Sequence, residues 1–168
     1  MSYQERRTIV SIISGVLIIA AYCIYAFGRY QTGAVAAGDL KFWASAMLIF
    51  IGIGIVATIV IQIVFNILMS IAIAVKQKIQ DQQYDDKDIE KTISASMVED
   101  EMDKLIGLKS MRVGFVVAGI GFIAGLVSLL LGYSAAVVLN ILFFSFSGGS
   151  VLEGFTQLYY YRRGVANG

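Results

Sequence analysis

The chain of 168 residues has no proline and no histidine, a single cysteine, and charge on only 15% of its positions. Without proline, long helices escape the ring clash and missing N–H that kink them. Without histidine, the commonest metal ligand and the commonest general base are both missing. Cys23 alone cannot close an intramolecular disulfide. There is also no GxSxG elbow and no phosphate-binding glycine loop followed by lysine. These absences predict a chain that is not an enzyme and that carries no cofactor and no metal.

The hydrophobic content is the opposite extreme. A soluble domain is about half apolar and about a quarter charged; here 58% of residues are hydrophobic and the mean hydropathy is +0.76. The net charge of +1 gives no bulk attraction to nucleic acid. The apolar residues fall in four long runs, at about 8–28, 42–75, 113–131 and 135–160. A hydrocarbon core about 30 Å thick needs roughly 20 helical residues. The runs do not alternate as barrel strands do, so helices satisfy their peptide groups. The expectation is an all-α bundle of four transmembrane helices arranged as two hairpins, one domain over residues 1–168. Run 42–75 is too long for one upright crossing, so it tilts or projects. The first run exceeds the 7–15 residues typical of a signal peptide and is followed by no small-x-small site, so it reads as a retained span.

Basic residues predict the orientation. Arg6, Arg7, Arg162, Arg163 and the seven Lys/Arg between Lys76 and Arg112 fall on one side, and Arg29 and Lys41 on the other. This predicts a multi-pass protein of the cell (plasma) membrane with both termini cytoplasmic. Tyr159, Tyr160 and Tyr161 would anchor the inner interface, and Trp43 and Tyr30 the outer one.

Residues 76–112 hold seven basic and nine acidic side chains. The first half reads as a solvated helix extension with a turn near Tyr84–Asp86. Asp85, Asp86, Asp88 and Glu90 lack the glycine and spacing of a calcium loop. The second half reads as an amphipathic helix running into the third span. Ser96 and Glu99 fit a capping box, Asp100 and Lys104 an i,i+4 pair, and Met102, Leu105, Ile106 and Lys109 one face. This segment is either a stabilised connector or a docking surface, with Asp100, Glu101, Asp103, Lys104, Lys109 and Arg112 as its contacts. The partner would be a cytoplasmic protein or a second copy in a homodimer or larger homo-oligomer.

Glu153 is the one acid deep within a span. Such a residue faces the bundle interior, a cavity or a partner. Gln157, Asn140, Gln62 and Asn66 are its candidate companions in an intramembrane polar site; the alternative is a structural acid that fixes helix packing. Small residues recur four apart: Gly114 and Ala118, Gly121 and Gly125, Ser145 and Gly149, Ser150 and Gly154. That spacing lets backbones approach closely and predicts a tight pairing of spans three and four through the 132–134 turn; the alternative is that one of these faces makes a homodimer. Ser11, Ser14 and Gly15 loosely echo Gly114, Ala118 and Gly119, as in a parallel repeat.

The stretch Glu99-Asp-Glu-Met-Asp-Lys-Leu-Ile-Gly-Leu-Lys-Ser-Met-Arg112 resembles a recurrent DER-x-LIELKA-x-R motif, with Gly107 in place of the usual acid. Gln157-Leu-Tyr-Tyr-Tyr-Arg-Arg-Gly164 is similar as well. The motif belongs to an uncharacterised family of small four-helix prokaryotic membrane proteins, often encoded beside a helix-turn-helix regulator. The resemblance covers about the second half of the chain and implies topology without chemistry. Three roles remain open: a non-enzymatic interaction or regulatory protein, a small oligomeric transporter or channel using Glu153, and a membrane immunity or resistance factor.

Overall fold

The computed structural model describes residues 3–80, 95 and 98–164. Four helices account for almost all of them: α1 (Tyr3–Gln31), α2 (Leu40–Gln80), α3 (Glu101–Leu130) and α4 (Ala135–Arg163). All four are long and apolar enough to cross a membrane. Each extends past its apolar run, because hydropathy marks only the stretch that fits lipid whereas the hydrogen-bond ladder continues into the polar flanks. α2 is one unbroken helix of 41 residues, about 60 Å at 1.5 Å per residue.

The turns explain where the helices stop. Gly33 and Gly132 both take positive φ, at 71° and 81°, a region that a β-carbon disfavours. Asp39 begins α2 by accepting the Phe42 N–H at 3.0 Å. α3 begins with a reciprocal cap: the Asp103 N–H donates to Asp100 Oδ1 at 2.7 Å, and the Asp100 N–H to Asp103 Oδ2 at 3.1 Å. The box therefore uses Asp100 and Asp103, one turn later than the expected Ser96 and Glu99. Ser96 lies outside the described residues, as do Tyr84–Asp86 and the acids Asp85, Asp86, Asp88 and Glu90. From Glu101 the helix runs without a break into the apolar stretch, as expected.

α3 packs most extensively against α4; α1 packs against both α4 and α2, and α2 touches α4. The small residues make the α3–α4 seam. A β-carbon on Gly121 would collide with the Ser145 side chain, and one on Gly125 would lie 3.3 Å from Val138. Ala118, Gly121, Gly125 and Gly149 are buried along the same line. Gly154 does not belong to it. Its missing side chain makes room for Ile12 of α1, 2.6 Å from where a β-carbon would sit.

The densest core lies at the end opposite the termini. Tyr22 is fully buried there among Ala26, Trp43, Ala46, Met47, Ala136 and Phe143. Its ring centroid lies 4.2 Å from that of Phe143 and 5.6 Å from that of Phe50, close enough for edge and offset contacts that add to burial. Trp43, expected as an interfacial anchor, is only 4% exposed and is packed inside instead. Past Met47, α2 buries almost nothing, and its apolar side chains point outward, as suits a helix solvated by lipid.

Candidate functional site

The side-chain ion pairs and most of the polar contacts between helices lie at the end that holds Tyr3 and Arg163. Arg7 is the hinge of the cluster. Its guanidinium donates to Glu99 Oε1 at 3.1 Å and to Gln62 Oε1 at 3.2 Å. It thereby joins α1, α2 and the segment leading into α3. Because the side chains of Arg7 and Glu99 are 38% and 51% exposed, the pair contributes at most about 1 kcal/mol; its value is positional. Arg162 reaches Glu5 at 3.4 Å, tying α4 to α1. Tyr3 hydrogen-bonds to Asn66.

These contacts frame a cavity of about 560 Å³. Gln4, Arg7, Thr8 and Ser11 line it from α1, which is one helical face at i, i+3, i+4 and i+7. Lys104, Leu108 and Met111 line it from α3, again one face. Gln62, Glu99, Asp103, Gly107, Gln157 and Tyr161 complete it. Tyr161 follows the apolar run of α4, and its phenol hydrogen-bonds with the Asp103 carboxylate. Burial, first, and then that bond and the nearby Asp103, Glu99 and Asp100 charges hold the phenol above its ordinary pKa. Gln4 is buried, and its Nε2 has no hydrogen-bond partner, nor has the Oγ of Ser110 behind the α3 wall. Sequence reasoning missed Gln4, Arg7, Thr8 and Tyr161. The i, i+3, i+4, i+7 polar face on α1 was the available signal.

The expected intramembrane polar site does not form as one constellation. Gln157 is the one companion that meets Glu153, donating to Oε1 at 3.5 Å, and it also accepts from the Thr8 hydroxyl at 3.2 Å. Gln62 serves Arg7, and Asn66 serves Tyr3. Asn140 lies in the aromatic core, accepting from the Tyr22 hydroxyl at 2.8 Å and donating to the Ala136 carbonyl. Each amide thus bonds to a side chain of a facing helix, Asn66 at an exposed position and Gln62, Asn140 and Gln157 at partly buried ones. Glu153 instead opens on a groove of about 240 Å³ with Gly114, Ala118 and Ser150.

The expected docking residues divide as well. Asp100 and Asp103 form the cap, in which Asp103 uses one carboxylate oxygen, Oδ2, and Asp103 also stands in the cavity wall. Lys104 pairs with Glu101 at 3.2 Å rather than with Asp100, since Asp100 precedes the helix and does not present an i,i+4 side chain. Of the face expected to hold Met102, Leu105, Ile106 and Lys109, only Ile106 is buried, at 3% exposure, with Ser110 beside it. Met102 and Leu105 are 50% and 37% exposed. They point away from α4 together with Arg112, which is also exposed.

A second cavity of about 550 Å³ lies at the Trp43 end and is mainly apolar, between Phe27, Tyr30, Val137, Ile141 and Phe144. The packed Tyr22 cluster separates it from the first. No protein-family model, no curated protein and no solved structure matches the chain.

Proposed function

We propose that the chain is a multi-pass protein of the plasma membrane, with both termini and the 76–112 segment in the cytoplasm, and that it acts as a non-enzymatic interaction or regulatory protein through the first turns of α3. One observation carries this reading. Met102 and Leu105 are exposed on a rigidly capped helix, ahead of the apolar stretch that begins at Val113. Apolar groups presented among charges on a preorganised helix are the usual form of a protein-binding face. Glu101, Lys109 and Arg112 supply the charged rim. Arg7 holds the base of this helix to α1 and α2, so an event at the docking face is felt by the membrane helices. The resemblance to membrane proteins encoded beside a regulator agrees with a cytoplasmic partner.

A photocrosslinking residue at Leu105 in native membranes tests this. The expected result is an adduct with one cytoplasmic protein, lost when Met102 is also changed to Gln. A self-adduct alone would move the reading to homo-oligomerisation, and no adduct would end it.

A second reading is a small oligomeric transporter working through Glu153. It is favoured by the Glu153–Gln157–Thr8 chain, which leads from the α3–α4 groove to the wall of the polar cavity. Reconstituted flux that falls in Glu153→Gln supports it; flux that does not change removes it.

A further inference from the structure

The cavity at the terminal end changes character along its depth. At its rim stand two cations, Arg7 and Lys104, and two anions, Glu99 and Asp103. Lys104, Leu108 and Met111 follow one another on a single face of α3. Leu108 and Met111, 63% and 45% exposed, lie about 6 and 10 Å farther toward the apolar stretch than Lys104. Along its α3 wall the cavity therefore passes from charged to apolar in the direction in which the helices enter lipid, while Thr8, Ser11, Gln62 and Gln157 keep the facing walls polar. Its side is open as well, since α2 and α3 do not pack along one another.

We infer that this cavity seats the headgroup of a zwitterionic lipid of the phosphoethanolamine class, with its phosphate on Arg7 and Lys104, its ammonium on Glu99 and Asp103, and its first acyl carbons against Leu108 and Met111. The inference rests on the four apolar helices lying in a bilayer, and it is independent of the docking face. Three features select this chemistry. The four charged lining residues sum to zero, so a net-neutral headgroup is matched, whereas an anionic one meets two carboxylates. A primary ammonium donates three hydrogen bonds to carboxylates, whereas a quaternary choline donates none and is held by aromatic cages; Tyr161 is the one aromatic in the lining. The exposed Leu108 and Met111 on the α3 wall have no role for a free headgroup, but match the start of an acyl chain.

The full chain, purified in detergent and offered phosphatidylethanolamine, phosphatidylcholine or phosphatidylglycerol, is examined by native mass spectrometry. The expected result is one retained phosphatidylethanolamine, favoured over the other two by about fivefold or more, as charge-assisted hydrogen bonds can supply. Glu99→Gln leaves the lining with one excess positive charge, so preference should shift toward phosphatidylglycerol. Leu108→Gln, at an exposed position, should weaken retention of every lipid without loss of helix content. Equal retention of all three lipids, or an unchanged preference in Glu99→Gln, would overturn the site. Free phosphoethanolamine displacing the lipid at comparable concentration would overturn the lipid source in favour of a soluble zwitterion.

Discussion

A β-carbon on Gly149 would stand 2.9 Å from the carbonyl oxygen of Gly114, so the backbones of α3 and α4 touch at this crossing. Neither backbone can yield as a flexible side chain would. Gly149→Ala should therefore destabilise the protein by about 1–3 kcal/mol, the usual cost of overpacking. Gly28→Ala is the control: nothing lies within 4 Å of its β-position, and in a helix alanine is favoured by up to about 1 kcal/mol. Thermal melting of both variants in detergent checks the pair. Equal melting points would show that the seam is looser than described.

Tyr22 donates to Asn140 at 2.8 Å from a fully buried position. Tyr22→Phe keeps the ring contacts with Phe50 and Phe143 and removes one hydrogen bond. The expected loss is about 1 kcal/mol, less than the 3–5 kcal/mol expected of Tyr22→Ala by analogy with large aromatic truncations. Asn140→Leu should be coupled to Tyr22→Phe in a double-mutant cycle, because the two changes delete the same bond.

The seam was legible in the sequence and the polar companions were not, for a physical reason. Close helix approach needs only small residues at a fixed spacing, and Gly114, Ala118, Gly121 and Gly125 display that spacing on their own. A companion for Glu153 depends on how far each neighbouring helix is rotated, which hydropathy does not encode. Gln62 and Asn66 thus went to Arg7 and Tyr3. The cap shows a milder form of this. Ser96 with Glu99 and Asp100 with Asp103 offer similar chemistry in overlapping registers, and spacing alone cannot choose between them. The burial of Trp43 was masked by a general preference of tryptophan for interfaces, which the local partners Phe27 and Phe42 override through edge-to-face contacts.

Asp100 caps α3 where the chain passes from the 76–112 segment into a long helix. Asp100→Ala should cost about 1 kcal/mol, within the range for lost N-caps, and the effect should be local. Hydrogen exchange at the amides of Glu101 to Lys104 should accelerate several-fold while the α3–α4 seam stays protected. Lys104→Ala should leave the same amides nearly unchanged, because its pair with Glu101 is between side chains 58% and 94% exposed and such pairs contribute little. Similar acceleration in both variants would mean that the ion pair, and not the cap, fixes the helix start.

Glu153 Oε2 lies 3.1 Å from the position of a β-carbon on Gly114, so the carboxylate fills the space that the glycine vacates. Gly114→Ala must displace the carboxylate as well as press on Gly149, whose carbonyl oxygen lies 3.4 Å away. In Glu153→Ala the first obstacle is gone and only the backbone contact remains. Gly114→Ala should therefore cost less in the Glu153→Ala background than in the parent, with a coupling of about 0.5–3 kcal/mol, as for residues in direct contact. The cycle is measured by unfolding in detergent at one pH. Strict additivity would show that Glu153 swings clear into the groove beside Ser150, and that the acid is placed by the groove rather than by the glycine.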